Sequence, residues 1–179
     1  MNLDKFTNKA QEAITNCQNI LSRFGHSQAT PDHLLLSLLE QKDGLAVKIL
    51  AALGVKVEPI EEALNKYLNM QPKGSAVSFK KDEIHVSSKL IAMLEEAGKE
   101  AERLKDQYIS IEHLFMVLCD DSKAQSGTIL KQNGVTRERI LQILTNIRGK
   151  QGVTSQDPEA TYQALERYGR DLTAAAAAG

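Results

Sequence analysis

The chain carries one pattern twice. Residues 6–69 align without a gap on residues 86–149 at a constant offset of 80, with 12 identities in 64 positions. His33-Leu34 recurs as His113-Leu114, Ile49-Leu50 as Ile129-Leu130, and Gly54-Val55 as Gly134-Val135. Most other pairs keep their apolar or polar character. A gapless duplication predicts two copies of one fold about a pseudo-twofold axis, with a seam between them where a groove can form. The 179 residues are enough for one compact domain plus an appendage, burying a core without disulfides or metals. With four Phe, four Tyr and no Trp, that core is built from Leu, Ile, Val and Ala, as in a helical bundle.

Helical spacing and capping residues divide each copy into four helices. Ala10, Ala13, Ile14, Cys17, Ile20, Leu21 and Phe24 recur on one helical face, with Thr7 placed to cap it and Gly25 to end it. Thr30-Pro31-Asp32 reads as cap, first-turn proline and first-turn acid of a second helix whose core face is Leu34, Leu35, Leu38 and Leu39. Gly44 precedes a third helix, Gly54-Val55 closes it, and a fourth runs from about Val57 to Leu68. In the second copy Ser87 or Ser88 caps the first helix, Ser110 stands where Thr30 stood, Glu112 where Asp32 stood, and Thr136 caps the last. The expectation is an all-α domain over residues 3–149: two pseudo-twofold-related four-helix repeats, eight helices in all, joined by a connector over 70–85. Residues 150–157 are polar and without periodicity, so they read as a mobile tether. Asp157-Pro158-Glu159 then opens a thin C-terminal linker helix within 150–179, with Tyr162, Leu165, Tyr168 and Leu172 as its apolar stripe.

Few residues suggest chemistry. Gly98-Lys99 and Gly149-Lys150 lack the upstream glycine and following hydroxyl of a phosphate-binding loop. No His-x-x-x-His or Cys-x-x-Cys supplies a metal site, and no catalytic constellation emerges. His33 and His113, equivalent in the two copies, read as structural, because a duplicated position serves the shared fold. Cys17 and Cys119 lie on apolar helix positions and read as buried, inert thiols of a reducing compartment. A net charge of −1 gives no bulk attraction to nucleic acid or anionic membrane. With no apolar run long enough to span a bilayer and no signal peptide after Met1, the expected location is the cytoplasm.

Several strings resemble a known family. Phe6-Thr7-Asn8-Lys9-Ala10-Gln11-Glu12-Ala13, Pro31-Asp32-His33-Leu34-Leu35-Leu36-Ser37-Leu38-Leu39 and Ile111-Glu112-His113-Leu114 resemble the double Clp repeat at the N-terminus of Clp-type hexameric AAA+ chaperones. The tail, Asp157-Pro158-Glu159 and then Tyr162 to Thr173, resembles ClpB-type disaggregases as they enter their first nucleotide-binding domain. The resemblance implies a substrate-recognition domain that captures unfolded or aggregated proteins and passes them to an ATP-driven homohexamer. The alternative it implies is an adaptor-docking module of a protease-coupled Clp unfoldase, so an adaptor or co-chaperone joins the expected partners. The Walker motifs that hold ATP and Mg in such a parent are absent, so this fragment is expected to be monomeric, without cofactor and not itself an enzyme.

An unfolded-protein binder needs an apolar groove with a polar rim. Positions polar in the first copy and apolar in the second point to one: Gln11 against Ile91, and Gln28 against Tyr108. Ile91 and Tyr108 are then either exposed apolar surface or part of the seam packing. The resemblance also implies substrate engagement by Thr7, Asp106 and Glu112. Read locally, the same three are an N-cap, a loop residue and a first-turn acid.

Overall fold

The computed structural model describes residues 2–74, 85–160 and 162. Eight α-helices follow a short 3-10 turn at Leu3–Lys5: α1 (Asn8–Phe24), α2 (Pro31–Glu40), α3 (Leu45–Ala52), α4 (Val57–Met70), α5 (Ser88–Arg103), α6 (Ile111–Asp120), α7 (Gln125–Gln132) and α8 (Arg137–Arg148). Local chemistry sets their ends. The Thr7, Ser87 and Thr136 hydroxyls accept from the Ala10, Leu90 and Arg139 amides. Gly25 stops α1 in the left-handed region at φ 70°. Its counterpart Lys105 adopts φ 60° without a glycine's freedom.

In both α2 and α6 the capping box closes with a histidine, not the usual glutamate or glutamine. His33 Nδ1 accepts from the Thr30 amide at 3.0 Å, and His113 Nδ1 from the Ser110 amide at 2.9 Å. This explains why the two histidines recur.

Pro31 to Leu39 and Ile111 to Cys119 are buried on every face. A helix apolar all round belongs in the interior, so α2 and α6 form the centre against which the amphipathic helices pack. Phe115 and the Leu and Ile residues beside it are among the largest fully buried side chains. The cysteines are free and buried, and burial pushes the Cys17 thiol up to about 12 and the Cys119 thiol up to about 11.

The halves dock reciprocally. Phe6 pairs with Ile109 and Val86 pairs with Ala29 in isolated parallel bridges, each the image of the other at the offset of 80. Thr7 and Ile109 exchange the same backbone contacts as Ser87 and Ala29: Thr7 N–H to Ile109 O at 2.9 Å, and Ser87 N–H to Ala29 O at 2.9 Å. Outside the bridges α1 meets α6 as α5 meets α2, and α3 meets α8 as α4 meets α7. Such a seam is self-complementary, like the interface of a symmetric dimer.

Two regions differ from the linear reading or lie beyond it. Residues 150–157, expected to be a mobile tether, lie against the domain: Val153 is fully buried, and its amide donates to Asp106 Oδ1 at 2.8 Å. Most of the connector over 70–85 and of the linker helix falls outside the described residues, although residues 158–160 do start a helix.

Candidate functional site

The seam places three of the five candidate residues together. Thr7, at the head of α1, is fully buried. Asp106, in the turn between α5 and α6, has a fully buried side chain that accepts from His113 Nε2 at 2.8 Å, Arg148 Nη2 at 2.6 Å and the Val153 amide at 2.8 Å. Because His113 Nδ1 accepts from the Ser110 amide, its proton sits on Nε2, facing Asp106. Burial alone would raise the Asp106 carboxyl, but His113, Arg148 and the Val153 amide outweigh it and hold the group at about 2. Glu112, in the first turn of α6, is buried 3.3 Å from Arg148 Nη1.

In this conformation all three side chains are buried, with Val153 bonded to Asp106 and Glu159 beside Thr7 and Glu112. The expectation of direct engagement therefore meets an obstacle: the side chains face the seam and not solvent. Ile91 stands apart on α5 at 44% exposure, and Tyr108 is half-buried in the α5–α6 turn.

The charged residues of the cluster, Asp106, Glu112 and Arg148, come from the second copy. Position 106 is occupied in the first copy by His26, whose Nδ1 lies 2.8 Å from His33 Nε2. Position 148 corresponds to Leu68, a buried core residue. Position 100 corresponds to the buried Ile20, whereas Glu100, 3% exposed, binds Arg103 at 2.8 Å and also Arg137. Glu100 and Arg148 are functional candidates absent from the sequence reading. The signal was available: both are charged where the first copy is apolar, the reverse of the comparison that selected Ile91 and Tyr108.

Two surface grooves are related by the same repeat. The α1–α2 groove, of about 720 Å³, is lined by polar residues such as Glu12, Asn16 and Ser37. Its counterpart between α5 and α6, of about 380 Å³, replaces these with Ala92, Glu96 and Val117, and adds Met93 and Ala124. Lys89, Asp120, Asp121 and Lys123 surround this apolar floor. Neither Ile91 nor Tyr108 lines it.

Gly98-Lys99 lies inside α5 and Gly149 ends α8, so neither pair opens onto a helix N-terminus. Among the described residues no group of three His, Cys, Asp or Glu converges on a metal position.

Comparison with known proteins fixes the lineage. The family model described as the Clp repeat (R) N-terminal domain matches residues 5–133. The chain belongs to the Clp repeat (R) N-terminal domain family. A chaperone protein ClpB from Bacillus cereus is 40% identical over all of this chain, and one from Nitratidesulfovibrio vulgaris is 41% identical. The chain spans 21% of the length of each of these relatives. The match to these relatives thus covers their Clp repeat portion. The solved Hsp104 N-terminal domain from Candida albicans shares the fold at a TM-score of 0.72, with 23% identity over 86% of this chain and 98% of that one. No helix among the described residues is long and apolar enough to cross a membrane.

Proposed function

We propose that this domain captures unfolded or aggregated protein on the second repeat and passes it to an ATP-driven hexamer of the full-length protein. The observation that carries the reading is the contrast between the two repeat-equivalent grooves. The shared fold requires both grooves but not their difference in polarity, and the α5–α6 groove has the apolar floor and charged rim suited to ligands that share exposed hydrophobes and little else. Burying one aliphatic side chain contributes ~1.5–3 kcal/mol. One or two such anchors, less the cost of association, give weak and promiscuous binding, as a client that must be handed on requires. Ile91 and Tyr108, outside the groove lining, are on this reading further apolar contacts of the second repeat. Thr7, Asp106 and Glu112 act on a client only once the segment above them lifts.

The test is amide chemical-shift mapping with an unfolded model protein, on the wild type and on Ala92→Glu, which copies Glu12 of the first repeat. Shifts should follow Ala92, Met93, Val117 and Ala124 in fast exchange and vanish in the variant, with stability moving by less than ~0.5 kcal/mol because Ala92 is exposed. Shifts confined to the α1–α2 groove, or undiminished in the variant, refute the assignment.

A second reading is docking of a folded adaptor on the same domain. Tight, saturable binding of one partner in slow exchange would select it.

A further inference from the structure

We infer that residues 153–160, with Tyr162, are a strap clasping the seam over Thr7, Asp106, Glu112 and Arg148, and that Glu159, seated against a second carboxylate, is its proton-operated latch. The strap is tied to both repeats. On the second, Val153 N–H donates to Asp106 Oδ1 at 2.8 Å and Gln107 N–H to Val153 O at 2.8 Å. On the first, Asn8 N–H donates to Gln156 O at 2.7 Å and Gln156 Nε2 to Asp4 O at 3.0 Å. Val153, Pro158, Glu159 and Tyr162 are its buried side. Because the strap spans the seam, it also controls whether the residues beneath can be reached.

The latch follows from the charges around Glu159. Around it are Glu112 from α6, Thr7 from the head of α1, and Asp157 and Tyr162 from the strap itself; Tyr162 in turn lies near Arg148 of α8 and Asp106 of the α5–α6 turn. His113 of α6 is committed to Asp106. Arg148 is the cation of this group, and it is already shared between Asp106 at 2.6 Å and Glu112 at 3.3 Å. Glu159 is 8% exposed, and neither of its oxygens completes a hydrogen bond; nor does either oxygen of Glu112 or the Tyr162 hydroxyl. An ionised carboxylate in that position is costly, so the closed strap holds Glu159 as the neutral acid. Burial, then Glu112 and Asp157, push its carboxyl up to about 7, against the weaker pull of its own amide and the Thr7 hydroxyl, which lie near it without completing a hydrogen bond.

A strap that lifts returns Glu159 to water and to the ordinary glutamate range. Closing therefore takes up a proton. Closure is at full strength below the free-glutamate value and is lost as pH rises through about 7. Linkage between those two values weakens closure about forty-fold from pH 5 to pH 7.

Hydrogen exchange on the full 179-residue chain tests this without any client, so its outcome is independent of the client-binding reading. The amides of Asn8, Gln107 and Val153 report the closed strap, and the Ala29 amide, bonded to His85 O at 2.7 Å on the opposite side of the seam, reports the fold. Protection factors, corrected for intrinsic exchange, should fall about forty-fold between pH 5 and pH 7 at the three strap amides, with a much smaller change at Ala29. Glu159→Gln, neutral at every pH, should keep them high and level. Tyr162→Ala should lower them throughout without moving the midpoint. Strap amides unprotected at all pH values, protection in the wild type that does not change with pH, or a pH dependence that survives Glu159→Gln would each overturn the proposal.

Discussion

Replacing Arg148 with leucine gives the second repeat the residue that the first carries at the same place, Leu68. The local helix tolerates either, so the outcome depends on the cluster. Asp106 would lose its 2.6 Å bond and keep two others, while Glu112 would lose its 3.3 Å ion pair and have no hydrogen bond to fall back on. Removing one partner of a buried ion pair costs ~3–5 kcal/mol. The leucine recovers little, because the arginine side chain is already only 9% exposed. Urea unfolding at pH 7 should therefore show a loss of ~2–4 kcal/mol by this reasoning. Adding Asp106→His brings in the first repeat's residue at that place, where His26 meets His33, and removes one of the two carboxylates that have lost Arg148. The double variant should be more stable than the sum of the single losses by ~1–3 kcal/mol, the coupling expected of residues in one network. A loss under ~1 kcal/mol for Arg148→Leu, or additivity within ~0.5 kcal/mol, would refute the view that this cluster is a closed and mutually dependent charge network.

Other outcomes follow from the same asymmetries. Gly127→Ala places a Cβ 1.9 Å from Asp121 O, so α7 must shift at ~1–3 kcal/mol, whereas Val47→Ala, at the equivalent half-buried site of the first repeat, should cost less in the same denaturation assay. Burial and the neighbouring His26 hold His33 down to about 4. The unfolded chain therefore binds the proton first, and stability falls as pH drops from about 6.5 toward 4, by roughly 2–3 kcal/mol at pH 4.5. His33→Gln should flatten that part of a stability–pH curve. Ile91→Gln with Tyr108→Gln, copying Gln11 and Gln28, should weaken binding of an unfolded protein while thermal unfolding changes little. A stability loss of several kcal/mol would place the pair in the core instead, by the burial scale of ~1.5–3 kcal/mol for each side chain.

The helices and the duplication were legible in the residues because the forces that set them act over short distances. A hydroxyl reaches an amide three residues on, as Thr7 reaches Ala10. A leucine stripe turns every 3.6 residues, and a glycine accepts a positive φ at its own position. Reciprocal docking followed from the constant offset. The site was legible only in outline. Asp32 was read as an acid complementing its own helix, yet its carboxylate accepts the Ser126 amide at 2.6 Å and caps α7 across the seam, where the N-cap residue Ala124 has no side-chain oxygen to offer. Glu112, one methylene longer at the equivalent place, turns to Arg148 instead.

The polar character of 150–157 gave no warning that Val153 would be buried, because the group that holds it, the Asp106 carboxylate, lies 47 residues earlier. Thr7, Asp106 and Glu112 each look solvent-facing when only their neighbours in sequence are considered. Their burial and charge state depend on how many carboxylates surround Arg148, and that number is set by the docking of the two repeats and the strap. Capping and helical periodicity are decided within a turn or two of chain. Desolvation and ion pairing depend on distances through space, which exist only after the halves have closed.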